Sequence, residues 1–372
     1  MKFNITYDSQ IFSWQRYGGI SRIYKELIQE YIKDPSLRIS VTGRYHINEY
    51  LNELKANEIS KINYFPKMEI FPGKINQILN RKYLFGVKNN KSCNIFHETY
   101  FDSFATKIPA STSRVISVYD MIDEKFGVNK SIRSKISLRD KEISIKRADH
   151  VICISENTRT DLIEILGIPK IKTSVVYLGS EMMENVYKDN SSPSKNINNK
   201  YILYVGSRGG YKNFKLLLES IDSSLLLKKN FTLVAFGGGK FSKNETEIIN
   251  KMNINAFQLS GSDAMLSSLY KKASIFVYPS MYEGFGIPPL EAMRFGCPVI
   301  CSNNSSISEV VGDAGRYFKN NDPESLKMAM ENVLDSQKLR NNLIELGYKR
   351  AKIFSWNKCA QDTLNVYKKI NN

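Results

Sequence analysis

Glu283 and Glu291 stand with seven residues between them, and the intervening stretch is Gly284-Phe285-Gly286-Ile287-Pro288-Pro289-Leu290. Two carboxylates alone would read as a helix cap and a surface residue. The residues between them suggest more. An apolar run, ASIFVYP (273–279), reads as a strand ending just upstream. Ligands of open α/β sheets sit beyond the carboxyl ends of such strands. Gly284 and Gly286 let the backbone approach a ligand closely. Pro288 or Pro289 suits the first turn of a helix and Gly296 its C′ position, so a short helix is expected over 288–295. Its free N–H groups and positive dipole end favour phosphate. Glu291, expected within the first turn, and Glu283, on the strand-to-loop turn, could accept from sugar hydroxyls. The chemistry is that of a sugar joined to a phosphate.

A second loop, YVGSRGGYKNF (204–214), follows another strand pattern. It offers Gly206 and Ser207, then Arg208 and Lys212, which could neutralise a diphosphate. Its spacing fits neither a Walker A motif nor a dinucleotide fingerprint. FGGGKF (236–241), with Gly237, either lines the nucleotide pocket or is a plain turn. QRYGGISR (15–22) is a glycine turn opening a helix, with the N–H groups of Gly18, Gly19 and Ile20 toward the ligand side, or a structural βα turn. His97 sits at a strand end, where a lone histidine is more often structural than a ligand contact. Asp120 and Asp123, in VYDMIDEKF, follow a further strand end and are site candidates. The chain has no Asp-x-Asp pair, so a carboxylate-held magnesium is not indicated.

These loops need sheets to position them. RISVTG, NIFHETY, RVISVYD, HVICIS and TSVVYLG read as strands before residue 180. YILYVGS, FTLVAFGG, ASIFVYP and PVICSN read as strands after 200. Many are continuous apolar runs, the pattern of strands buried on both faces. Helical segments alternate with them, for example 20–31, 158–166, 214–220 and 263–271. That alternation predicts parallel, doubly wound sheets. The polar, Ser- and Asn-rich run 180–200 has linker composition. Two Rossmann-like domains are expected, 1–182 and 199–354, facing each other across a cleft. A final helix within 355–372 is expected to cross back to the first.

Composition sets the outer bounds. The 372 residues exceed one ordinary core. No apolar run reaches the length of a membrane-spanning helix, and the polar start MKFNITYDSQ reads as a strand rather than a signal peptide. Five scattered cysteines and three histidines argue for cytosolic thiols and against zinc. Net charge is +16. Basic residues gather in 74–91 (Lys74, Arg81, Lys82, Lys88) and in 125–147 (Lys125, Lys130, Arg133, Lys135, Arg139, Lys141, Lys146, Arg147). Apolar residues at helical spacing lie beside them. This suits an anionic membrane surface or a solvated face on a core helix.

The stretch SLYKKASIFVYPSMYEGFGIPPLEAMRFGCPVICSNNSSISEVVGDAG, with YVGSRGGYKNF, QRYGGISR and KRADHVICISENTRTDL, resembles the retaining glycosyltransferases of family 4. The wording YKNF with GGISR is similar to the bacterial O-antigen mannosyltransferase branch. The resemblance implies the GT-B fold and a metal-independent hexosyltransferase without cofactor, GDP-sugar favoured over UDP-sugar. It implies a polyprenyl-diphosphate-linked glycan acceptor and a cytoplasmic, peripheral place on the inner membrane face, without nucleic acid. By matched position, Glu283 contacts donor-sugar hydroxyls and Glu291 the ribose. Phe285, Gly286 and Ile287 offer N–H groups, and Lys212 holds the diphosphate. Gly18 and Gly19 shape the phosphate side, and Gln258 and Leu259 contact the base. Two departures stand out. Ser207, followed by Arg208, replaces the usual arginine after VG. Tyr119 replaces a histidine that approaches the distal donor sugar, which raises a 6-deoxy donor as a hypothesis. The competing readings are a UDP-sugar transferase, a GT-B epimerase or phosphorylase, and a basic lipid- or nucleic-acid-binding module.

Overall fold

A computed structural model describes residues 2–68, 80, 93–104, 107–127, 132–181 and 200–371, with the backbone alone at 63, 64, 68 and 132–134. The chain divides into two compact units, Met1–Gly179 with Trp356–Asn372, and Ser180–Ser355.

Among the described residues of the first unit nine strands form: β1 (Phe3–Tyr7), β2 (Leu37–Val41), β3 (Tyr45–His46), β4 (Ile62–Tyr64), β5 (Lys67–Met68), β6 (Ile95–Glu98), β7 (Ser113–Val118), β8 (His150–Cys153) and β9 (Thr173–Val175). Seven make one parallel sheet in the order β4-β2-β1-β6-β7-β8-β9, and β3 pairs with β5. β1 and β6 are neighbours from which the chain order runs outward in opposite directions. The carboxyl ends of these two strands therefore bound the topological switch point. Asp8 and Thr99 meet there: Asp8 Oδ1 accepts from the Thr99 N–H at 3.0 Å and from its hydroxyl. The Trp356–Ile370 helix packs on the Gly19–Tyr31 helix, and the Tyr31 hydroxyl donates to the Ala360 carbonyl at 2.9 Å.

The second unit holds β10 (Tyr201–Val205), β11 (Thr232–Phe236), β12 (Ala256–Leu259), β13 (Ile275–Tyr278), β14 (Val299–Ser302) and β15 (Gly315–Phe318). All are parallel, ordered β12-β11-β10-β13-β14-β15. β11 and β13 are buried along their whole length, which is why they read as unbroken apolar runs. Ile202, Tyr204, Leu217, Leu233, Ile275 and Ile300 share one core with Leu326 and Met330 from a covering helix. Serines set several helix starts by accepting at N3, as Ser155 does from Thr158 and Ser242 from Glu245.

The basic stretch 74–91 lies outside the described residues except for Asn80. In the stretch 125–147 the structure thins the expected basic face. Lys125 pairs with Asp161, Lys141 with Glu124 at 2.9 Å, and Arg147 with Glu98 at 2.9 Å. Lys146 pairs with Glu142. Lys141 also donates to the Asp120 carbonyl at 2.7 Å. Sequence proximity suggested one cationic surface, but acids from distant segments neutralise part of it. Lys135, Ile136 and Arg139 remain exposed on the Ile132–Arg147 helix. Among the described residues no helix is long and apolar enough to cross a membrane.

Candidate active site

The second unit's switch point lies between β10 and β13, so the loops leaving those strands are neighbours. The Met281 N–H donates to the Tyr211 carbonyl at 2.7 Å and ties the two loops together. From the first loop comes Lys212, on a 3-10 turn, Gly210–Lys212, whose Gly210 has φ +54°. From the second comes Glu283. Lys212 Nζ lies 2.7 Å from Glu283 Oε1, with the side chains 16% and 10% exposed. The ammonium stands over the rings of Tyr211 and Tyr278, 5.2 and 5.6 Å from their centres. Burial and the adjoining Glu283 carboxylate push the Tyr278 phenol well above its ordinary range.

Two hydroxyls hold the Glu283 backbone. Its N–H donates to Ser305 Oγ at 2.9 Å. The fully buried Ser306 hydroxyl shares its one proton between the carbonyls of Glu283 and Phe285, each at 2.8 Å. The Gly284–Gly286 turn is thus clamped from below, and the Phe285 ring packs edge-on against Phe354. Gly286 caps the next helix at φ +117°, a conformation that selects glycine.

The helix runs Ile287–Arg294, one residue earlier than expected at its start. Glu291 accordingly falls beyond the first turn, contrary to the sequence expectation. It is buried, and the Tyr270 hydroxyl contacts its Oε2 at 3.3 Å. Tyr270 is itself stacked against Phe295. Pro288 and Pro289 have no N–H, so within the first turn the available donors are Ile287 and Leu290.

Arg208 differs most from expectation. Its side chain is 4% exposed and turns inward onto the 237–240 glycine loop. Nη1 donates to the Gly237 carbonyl at 3.0 Å, and Nη2 to the Gly239 and Lys240 carbonyls at 2.9 Å each. Nε pairs with Glu245 at 2.8 Å, and Phe241 lies beneath the guanidinium. Its planar fork of donors matches a set of converging carbonyls. The adjacent Ser207 side chain is exposed, and its carbonyl accepts from the Tyr204 hydroxyl. Gly238 is required on steric grounds as well: a Cβ there would lie 2.6 Å from the Gly206 carbonyl oxygen. Gln258, half-buried on β12, donates to the Leu259 carbonyl at 2.8 Å beside this loop.

The remaining candidates belong to the first unit. Gly19 opens its helix, but the donors and acceptors of the turn are partly used within it. Ser21 N–H donates to Gln15 Oε1 at 3.2 Å and the Ser21 hydroxyl to the Gly18 carbonyl at 3.0 Å. His97 is a core histidine rather than a ligand contact. Its ring is hydrogen-bonded to Tyr367 and, at 3.0 Å, to Ser117, and burial pulls its pKa down to about 3. Tyr119 likewise turns inward and donates to the Tyr24 hydroxyl at 2.7 Å, so it does not reach for a ligand. Asp120 is half-buried, with Oδ1 accepting from the Ile122 N–H at 3.1 Å. Asp123 is exposed. The five cysteines are free and buried. Among the described residues no cluster of His, Cys, Asp or Glu is arranged to hold a metal ion.

Residues 187–350 match the family Glycosyl transferases group 1. The chain carries a group 1 glycosyl transferase domain. The chain is 29% identical over 245 residues to the O-antigen chain mannosyltransferase B of Escherichia coli, covering 60% of this chain and 62% of that relative, so it spans less than two thirds of that relative's length. It is 26% identical over 364 residues, 95% of each chain, to an uncharacterized glycosyltransferase of Methanocaldococcus jannaschii. Among solved structures, sucrose-phosphate synthase of Thermosynechococcus elongatus superposes with a TM-score of 0.72 at 16% identity over 99% of both chains. WaaG, a glycosyltransferase involved in lipopolysaccharide biosynthesis, does so with 0.67 at 15% over 97% of this chain and 99% of its own. The chain therefore has the GT-B architecture.

Tyr270, Tyr278, Ser305 and Ser306 escaped the sequence reading. No local signal marks them, because each acts on a residue brought near only by folding.

Proposed function

We propose that this transferase moves a hexose, mannose or a related sugar, from a nucleoside diphosphate donor to a sugar hydroxyl of a lipid-linked O-antigen or surface polysaccharide. The observation that carries the reading is the cluster at the β10/β13 switch point, where Lys212, Glu283 and the Ile287–Arg294 helix N-terminus meet. Lys212 and the helix end would stabilise the diphosphate as the bond from the anomeric carbon to phosphate oxygen breaks. Glu283 would accept from the sugar hydroxyls, and Glu291, held by Tyr270, from the ribose. The reaction proceeds with retention; the acceptor oxygen forms the new bond, and its proton leaves with the diphosphate. No side chain is assigned as nucleophile, and the work is chiefly electrostatic. A GDP-linked donor is favoured because relatives include proteins named O-antigen and serotype-specific mannosyltransferases. The case for a 6-deoxy donor loses its basis with Tyr119 turned into the core. Exposed Lys135, Ile136 and Arg139 suit contact with an anionic membrane surface. A thermal-shift panel of UDP, GDP and their hexose derivatives, paired with transfer onto a synthetic polyprenyl-diphosphate glycan, tests the reading. Stabilisation by GDP-mannose with product formation is expected. Absence of any nucleotide binding, with salt-sensitive DNA binding instead, overturns it.

A further inference from the structure

We propose that the Lys212–Glu283 ion pair makes the site discriminate between intact nucleotide sugar and the nucleoside diphosphate left after transfer. This rests on the donor reading above. The ammonium and carboxylate are 2.7 Å apart and mostly shielded from water. The tyrosines on either side, Tyr211 and Tyr278, bring rings rather than a further charge to the lysine. The Tyr278 hydroxyl also hydrogen-bonds Glu283, but among the described residues Lys212 is the cation paired with that carboxylate, and a ligand that takes the lysine must replace its charge.

An intact donor does both. Its diphosphate takes Lys212, and its sugar hydroxyls donate to the released Glu283 carboxylate. The pair is exchanged for two new contacts, with no charge left bare. A nucleoside diphosphate without sugar takes only Lys212. It leaves the Glu283 carboxylate shielded, with the Tyr278 hydroxyl but without its ion pair, and next to phosphate charge of the same sign. Ser305 and Ser306 hold the Glu283 N–H and carbonyl, so its main chain cannot retreat from the site. The product is therefore disfavoured relative to the substrate, which promotes its release. A ligand shifts an equilibrium only by its differential interaction with the two states, and here the difference lies in the fate of one carboxylate.

The test uses the full chain and calorimetric titration with GDP, GDP-mannose, UDP and UDP-glucose. In Glu283→Gln no carboxylate is left to strand. The nucleoside diphosphate that binds the unaltered protein should bind at least about threefold tighter, whereas its sugar-bearing form binds equally or more weakly. The affinity ratio between donor and product should collapse accordingly. Glu283→Asp sets the carboxylate one methylene back from Lys212 and should move both affinities the same way by a smaller factor. It gives a second reading should Glu283→Gln fail to fold. Unchanged or weaker nucleoside diphosphate binding in a folded Glu283 variant overturns the inference and leaves the transferase reading standing. If the unaltered chain binds none of the four nucleotides, the donor reading falls and this inference with it.

Discussion

Replacing Arg208 by alanine separates two jobs for one cation. If the guanidinium serves the 237–240 loop, its removal is first a matter of stability. Four charge-assisted hydrogen bonds are lost, to the carbonyls of Gly237, Gly239 and Lys240 and to Glu245, at 2.8 to 3.0 Å. Such bonds are worth about 1.5–3 kcal/mol each, but they are not additive within one side chain. Gly239 and Lys240 are exposed, so water can re-solvate their carbonyls once the guanidinium is gone. Packing over Phe241 is lost too. A net destabilisation of about 2–4 kcal/mol follows. In a unit of this size each kcal/mol lowers Tm by about 2–4 °C, so the second unit's transition should fall by roughly 5–15 °C in scanning calorimetry. Arg208→Lys should recover only a minor part, because one ammonium cannot bridge three carbonyls and a carboxylate. Donor affinity measured well below the transition should weaken less than in Lys212→Ala. The reasoning is refuted if Arg208→Ala melts within about 1 °C of the parent while nucleoside diphosphate affinity falls tenfold or more. That result would make Arg208 a phosphate ligand, as its place after the β10 loop first suggested.

Other outcomes follow from the same geometry. Lys212→Ala should lower kcat by about 10²–10³, the usual effect of deleting one preorganised charge-stabilising donor, and should lower Tm as well, because the shielded Glu283 carboxylate loses its ion pair; a loss of kcat under fivefold would exclude the catalytic role. Tyr270→Phe should weaken ribonucleotides by about 1 kcal/mol and 2′,3′-dideoxy analogues hardly at all, if Glu291 meets the ribose. Ser306→Ala leaves two buried carbonyls short of a donor and should cost about 1–3 kcal/mol in thermal or urea unfolding. The histidines predict an acid limit. His97 is depressed to about 3 and His46 to about 4, both chiefly by burial. The unfolded chain takes up these protons near pH 6.5 while the folded chain does not, so the histidine contribution is lost as pH falls below that value, opposed by Asp8, whose carboxyl pKa is raised by burial to about 7. Between pH 7 and 5 the loss is about 2 kcal/mol per histidine. An NMR titration showing His97 protonating above pH 5.5 in the folded protein would contradict it.

Much of the fold was legible because burial on both faces writes itself into single segments. IFVY and TLVAF have no polar alternation, and β13 and β11 are buried throughout. The glycine positions were legible for a similar reason. Gly286 at φ +117° and Gly296 at φ +71° adopt backbone geometry that few other residues tolerate, so the helix between them could be bracketed to within one residue. The Glu291 register was misjudged because helix starts depend on hydrogen bonds that propensity does not fix.

The sequence by itself determined a pair of parallel α/β sheets, the loops that leave them, and the residue types those loops offer for diphosphate and sugar. These are local properties: periodicity, turn chemistry and spacing. Only the tertiary structure decided which way each side chain turned. Arg208 and Lys212 are four residues apart in one loop and look alike as phosphate cations. One is drawn under the neighbouring glycine loop by carbonyls that β11 delivers, the other beside Glu283 by the switch between β10 and β13. His97 and Tyr119 were settled by partners as distant as Tyr367 and Tyr24. A polar side chain goes where its hydrogen bonds and charge can be satisfied, and those partners come from strand order, which no short window of sequence contains.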